Sequence, residues 1–214
     1  MDEERPLTEY LDQVVIPAFS IAASDAARNV LHADQLSKLK ETVDDFVELV
    51  EDLVEQRLEK QEEETSTGDR PVVKALILPA RGAFDQAAGK LLALAARLET
   101  RIDLTLAAGS GLTGINAALE DRNVKDLTYA AILSVGEATP PQLRLVIRRL
   151  SRALSMPVGV LERDGAAQVE HEPFAKADAF ASSKALLDKI RATADRSAPS
   201  SAVTSPRPIV SAMR

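Results

Sequence analysis

Seven glycine, serine and arginine residues, at three predicted turns, are the residues of this sequence best suited to chemistry. Backbone N–H groups at the start of a helix, with an arginine beside them, bind a phosphate or a carboxylate. The alternative is structural: the glycines make tight turns, and Arg81 pairs with Asp85 four residues later. The seven candidates for anion or ligand binding are Arg81, Gly82, Gly109, Ser110, Gly111, Ser134 and Gly136.

Catalysis is not indicated, because no histidine is placed to serve as a base for a nucleophile. Asp85 and Ser110 lack such a partner, and His171 stands between two glutamates in a polar stretch. The absence of cysteine removes thiolate nucleophiles and cysteine-based zinc sites. The run 109–114 is similar to a dinucleotide loop, but it follows the second predicted strand rather than the first. We therefore predict no catalytic residue, no metal site, no cofactor and no enzymatic activity.

The elements that position these turns alternate between short apolar runs and segments of helical periodicity. This alternation predicts an α/β fold, a flavodoxin-like or Rossmann-like doubly wound parallel sheet of four to five strands. Ligands of such sheets bind beyond the carboxyl ends of the strands, where the seven residues fall. The predicted strands are 72–78, 102–107, 129–135, 157–161 and 177–181, and the predicted helices are 83–99, 112–120, 140–154 and 182–194.

The helical spacing of apolar residues in 1–60 predicts a separate helical arm of two amphipathic helices, 7–28 and 34–60. Pro17 removes a backbone hydrogen bond, so we expect a kink in the first helix. The second helix carries apolar residues at alternating spacings of three and four. That seam is consistent with a hairpin folded onto itself or onto a neighbouring element, or with a homo-oligomer formed through 34–60. Its residues are Leu36, Leu39, Val43, Phe46, Val50 and Leu53.

Charge divides the chain at a polar, acidic linker over 61–70. Residues 1–70 carry 19 acidic and 7 basic side chains, a net charge of −12, whereas residues 71–214 have a net charge of +5. We predict the α/β domain over 71–195 and a disordered tail over 196–214. One predicted helix has a cationic face, for which there are three interpretations. The face is exposed to solvent, or it docks on the acidic arm, or it docks on anionic lipid at the cytoplasmic leaflet. Its residues are Arg144, Arg148, Arg149 and Arg152.

Composition excludes several classes of function. A net charge of −7 argues against a general nucleic-acid partner. No apolar run approaches the roughly 20 residues that span a bilayer, and the acidic amino terminus lacks the features of a signal peptide. The expectation is a soluble, cytoplasmic protein.

Two groups of segments carry a resemblance to a known family. The first group is Glu9–Ala18, Ala22–Asp25, Asn29–Leu31 and Glu41–Asp45, and the second is Ala75–Ala88, Leu145–Leu150 and Ala177–Ala179. Together they resemble the long soluble carboxy-terminal extension of some proteobacterial permeases, relatives of the autoinducer-2 exporters. The membrane part of that family is absent from this sequence.

The resemblance implies a non-enzymatic accessory or regulatory domain at the cytoplasmic face of the inner membrane. Its expected partner is a membrane permease domain or a homologue of the chain itself. The alternative is a stand-alone α/β protein that binds a small molecule, a nucleotide or another anion.

Overall fold

The computed structural model describes residues 5–64, 73–100, 102–120, 122–162 and 177–197. It confirms the predicted α/β fold, with a five-stranded, all-parallel sheet in the order β2-β1-β3-β4-β5. The strand order reverses between β1 and β3, which makes the loops after these two strands the topological switch point. The strands are β1 (Val73–Pro79), β2 (Ile102–Leu106), β3 (Tyr129–Ser134), β4 (Val158–Glu162) and β5 (Ala177–Phe180).

Burial explains why the central strands are continuous apolar runs. Every residue of β3 is buried, and so are the last five of β1, because helices cover both faces of the sheet. The edge strand β5 is more polar, and its Asp178 forms an ion pair with Lys189 at 2.7 Å.

Four helices cover the sheet, two on each face. The side chains of α4 and α7 share one hydrophobic core with the N-terminal helices, and those of α5 and α6 form a second core on the opposite face. A 3-10 turn, Arg122–Asp126, follows α5. The four are α4 (Ala83–Thr100), α5 (Gly111–Glu120), α6 (Pro140–Ala153) and α7 (Ser183–Ser197).

The first N-terminal helix, over 7–27, is continuous but changes its winding. It consists of α1 (Leu7–Tyr10), a π-helical segment (Leu11–Val15) and α2 (Ile16–Ala27). Pro17 is the second residue of α2 and has no N–H to donate to the preceding turn, and the π segment ends two residues before it, at Val15. The predicted interruption at Pro17 therefore takes the form of a widened helical turn.

The second N-terminal helix, α3 (Ala33–Glu64), has 32 residues and is about 48 Å long. It continues four residues into the predicted 61–70 linker, whose remainder lies outside the described residues. Its buried stripe is Val43, Val47, Val50 and Val54. The predicted seam was therefore partly wrong, because Leu53 is 55% exposed. The predicted disordered tail also began too early, since α7 extends to residue 197 and only the rest lies outside the description.

The N-terminal helix and α3 form an outer helical layer that packs on α4 of the same chain. Apolar contacts make this attachment, and the rings of Phe19 and Phe84 lie 5.8 Å apart between centroids. Docking of the arginine-rich helix on the acidic arm was a wrong expectation, because α6 lies on the other face of the sheet. Among the described residues no helix has the length and apolarity to cross a bilayer.

Candidate functional site

The candidate site lies at the switch point, where the loops after β1 and β3 run side by side. The N–H of Ala80 donates to the carbonyl of Leu133 at 2.8 Å, which holds the two loops together. The first turn of α4 begins directly after the β1 loop, so its free N–H groups point into the space between them. This is the position at which doubly wound proteins bind anionic ligands.

Asp85, in the first turn of α4, fastens the two loops to each other. Its side chain is fully buried, and its two oxygens accept the N–H of Arg81 at 2.9 Å and of Val135 at 2.7 Å. Burial raises the pKa of Asp85 to about 7, opposed by the Val135 hydrogen bond and reinforced by the negative charge of Glu137. A group so fully engaged with its own backbone acts as a structural clamp.

Glu137, in the β3 loop, places its carboxylate on the N-terminus of α4. Its Oε2 accepts the N–H of Asp85 at 2.9 Å, and the backbone N–H groups of Phe84 and Gly82 lie close enough to favour the charged carboxylate. Burial raises the pKa of Glu137, while these N–H groups and the nearby Lys40 of α3 lower it. The favourable position for an anion is thus filled by the protein's own side chain.

Gly82 is required for this arrangement because a side chain would occupy the same space. A Cβ added at Gly82 would lie 2.0 Å from Oε1 of Glu137 and 2.5 Å from Oε2. The glycine of the predicted anion loop therefore admits an internal carboxylate.

Arg81 and Ser110 lie close together but make internal contacts. The guanidinium of Arg81 donates to Oε1 of Gln142 at 2.6 Å, and the hydroxyl of Ser110 donates to the Arg81 carbonyl. The predicted side-chain pairing of Arg81 with Asp85 was wrong, because the guanidinium binds Gln142 and Asp85 accepts the Arg81 backbone N–H instead. Asp85 and Ser110 thus both bind the backbone of Arg81, whereas His171 lies outside the described residues.

The remaining candidates shape the turns that follow β2 and β3. Gly111 and Gly136 have φ values of +55° and +108°, a backbone conformation that favours glycine, and Gly109 is similar at +106°. Ser134 is buried and its hydroxyl accepts the N–H of Gly136 at 3.4 Å. It also lines a cavity of about 20 Å³ with Asp12, which is space for one water molecule.

Two further carboxylates cap helices across long sequence distances and so fix the N-terminal helix in place. Glu99 accepts the backbone N–H and the hydroxyl of Thr8, at 3.0 and 2.7 Å, at the start of α1. Asp12 accepts the N–H of Ser183 with both oxygens, at 2.9 and 3.0 Å, at the start of α7. Polar capping and apolar packing therefore act together to attach the helix.

Sequence reasoning missed Glu137, Asp12 and Glu99. A detectable signal existed for Glu137, since an acidic residue directly after Gly136 at a strand end lies beside the start of the first crossover helix. Asp12 and Glu99 gave no local signal, because their partners are 171 and 91 residues away. In the described part of the chain no three acidic, histidine or cysteine residues are grouped to hold a metal ion.

Comparison with known proteins gives no relative from which to infer function. No family model matches the chain, and neither a curated protein nor a solved structure matches it. The relation to permease extensions therefore remains a prediction that depends on the quoted residues.

Proposed function

We propose that this chain is a non-enzymatic accessory domain that binds the cytoplasmic part of an inner-membrane permease through its outer helical layer. The observation that carries this proposal is an apolar groove of about 570 Å³ between the first helix, α3 and the end of α4. The groove is lined by Arg5, Pro6, Leu7, Tyr10, Val50, Leu53, Val54, Arg57, Gln61, Leu98 and Glu99.

Large apolar side chains are exposed at and near this groove. Leu53 and Tyr10, which line it, are 55% and 42% exposed, and Leu49 lies one turn before Leu53 on α3. Val14 follows Tyr10 by four residues on the first helix and is exposed as well. Apolar residues grouped on a polar helical surface favour a protein partner.

The charge around these residues selects the kind of partner. Exposed acidic residues flank Leu49 and Leu53 along α3, among them Asp45, Glu48 and Asp52. The cytoplasmic loops of membrane proteins carry an excess of lysine and arginine. The acidic surface of α3 beside the groove is therefore complementary to a basic cytoplasmic loop that extends from the membrane, while Arg5, Arg57 and Glu99 supply the charges within the groove itself.

The state of the switch point favours this interaction role over the alternative of anion or nucleotide binding. A ligand phosphate at the start of α4 requires the Glu137 carboxylate to leave the N–H groups of Phe84 and Asp85. The alternative therefore needs a rearrangement, whereas the groove is open as it stands.

Photo-cross-linking in the native host tests the proposal. A photo-reactive amino acid replaces Leu53 in the groove, and the control carries the same replacement at Val30, which is exposed just before α3 begins and does not line the groove. The expected result is an adduct with a polytopic inner-membrane permease from Leu53 and none from Val30.

Other results would contradict the proposal. Adducts only between two copies of the chain would instead support the predicted homo-oligomer through 34–60. Adducts with soluble proteins alone, or equal adducts from both positions, would argue against a permease partner in the groove.

A further inference from the structure

The outer face of α6 is strongly cationic and has no partner among the described residues. Arg144, Arg148, Arg149 and Arg152 are all exposed there. The helix contains no acidic residue, and no carboxylate of the described chain forms an ion pair or hydrogen bond with these four side chains. Their charge is therefore available to a partner.

Exposed leucines accompany the arginines on the same side of the sheet. Leu145 lies among them on α6 and is 43% exposed, while Leu112 and Leu119 are similarly exposed on the neighbouring helix α5. The only charged residue of α5 is Glu120, at its end. We refer to the exposed surface of these two helices as the α5–α6 face.

The opposite side of the molecule has the reverse charge. The helix α3 of the outer layer carries 12 acidic and 4 basic residues. It lies across the sheet from the α5–α6 face, because the two belong to different cores. Such a charge distribution orients the molecule at an anionic surface, with the basic face inward and the acidic layer outward.

We propose that the α5–α6 face docks on a bilayer that contains anionic lipids. The guanidinium groups bind lipid phosphates, as arginine does through paired N–H donors. The leucines enter the boundary between headgroups and acyl chains, as the apolar residues of interfacial helices do. This inference does not depend on a permease, and it leaves the groove on the other face free for one.

The predominance of positive charge on this face, where Glu120 at the end of α5 is the only acidic residue of the two helices, favours a lipid surface over other partners. A uniformly negative surface complements a face whose charge is mainly positive, whereas a protein surface of mixed charge does so poorly. A nucleic acid is also uniformly negative, but a flexible polyanion is repelled by the acidic α3. The net charge of −7 on the whole chain opposes its binding as well. A flat bilayer contacts only the basic face.

Co-sedimentation of the full chain with protein-free vesicles tests this inference. Vesicles of phosphatidylcholine alone are compared with vesicles that also contain phosphatidylglycerol, and binding is expected only to the second. Each arginine near an anionic surface contributes about 1 kcal/mol, or about fivefold in affinity. The double variant R148Q/R152Q is therefore expected to bind about 25-fold more weakly.

Two further variants make the result specific. K184Q/R191Q removes the same charge from exposed positions of α7, on the other face of the sheet, and is expected to bind like the wild type. L145S keeps every charge and is expected to weaken binding several-fold by removing an inserted leucine.

Four outcomes would overturn the inference. Two concern vesicles: equal binding to both kinds of vesicle, or equal losses of vesicle affinity in R148Q/R152Q and K184Q/R191Q. The other two are binding to DNA but not to vesicles, and salt-sensitive self-association without vesicles that R148Q/R152Q abolishes. The last would assign the face to a second copy of the chain. Failure here leaves the groove proposal intact, because cross-linking from Leu53 is a separate measurement.

Discussion

Replacement of Gly82 by alanine tests the arrangement at the switch point. The new Cβ would lie 2.0 Å from Oε1 of Glu137 and 2.3 Å from its Cδ. The backbone cannot move away easily, because Arg81 is fixed by Asp85 and Gln142. The flexible Glu137 side chain must therefore leave the N-terminus of α4.

The cost follows from the hydrogen bonds that are lost. The N–H group of Asp85 loses its charged acceptor, those of Gly82 and Phe84 lose a nearby negative charge, and Asp85 is buried. Loss of a helix cap costs about 1–2 kcal/mol, and the favourable charge at the helix start adds up to about 1 kcal/mol. We expect Gly82→Ala to lower the free energy of unfolding by about 2–3 kcal/mol.

Urea unfolding followed by circular dichroism measures this change, since the chain has no tryptophan. The matched variants are Glu137→Ala and the double variant G82A/E137A. If the clash with Glu137 is the cause, G82A costs less than about 0.5 kcal/mol in the E137A background, which gives a coupling energy near 2 kcal/mol. Additive effects, or a G82A variant as stable as the wild type, would refute the reasoning.

Three other perturbations have expected outcomes. The pKa of Asp85 is raised from 3.8 to about 7, so its contribution to stability is complete below pH 4 and is lost as the pH rises through 7. Between pH 4 and pH 7 we expect the free energy of unfolding of the wild type, measured by urea titration, to fall by up to about 4 kcal/mol relative to that of D85N. Parallel pH profiles of the two proteins would count against this. Asp12→Ala removes the acceptor of the Ser183 N–H. It is expected to lower the free energy of unfolding by about 1–2 kcal/mol and to speed amide hydrogen exchange in residues 7–27. Unchanged exchange in these residues would show that the cap does not hold the first helix. Gly159→Ala places a Cβ 2.6 Å from the buried Tyr129 hydroxyl and is expected to cost about 1–3 kcal/mol, so an unchanged melting temperature would contradict the packing.

Apolar periodicity was sufficient to predict the order and type of the elements. The strand-forming runs, such as Tyr129–Ser134, are buried on both faces, so their composition alone identifies them. The capping of α6 was also local, because Thr139 and Gln142 form a capping box around Pro140. Features that arise within a few residues are thus legible in the sequence.

Features that depend on tertiary packing could not be predicted from the sequence. The seam of α3 has apolar residues at neighbouring positions, Phe46 and Val47, and again Leu53 and Val54. Packing on α4 selects the valines, which the spacing alone does not decide. Four of the seven candidate residues lie at the switch point, at or after the ends of β1 and β3, and the other three follow β2 and meet it through Ser110. The group that occupies the switch point, Glu137, is 52 residues from the N–H that it caps.

The most direct measurement is an NMR titration of the ¹⁵N-labelled chain with inorganic phosphate. The central claim is that Glu137 closes the switch point of this sheet. The account predicts that the amide signals of Gly82, Phe84 and Asp85 stay in place in the wild type and shift saturably in E137A, where the cap is open. Saturable shifts of these signals in the wild type would contradict the claim, because they would mean that a ligand anion displaces the Glu137 carboxylate.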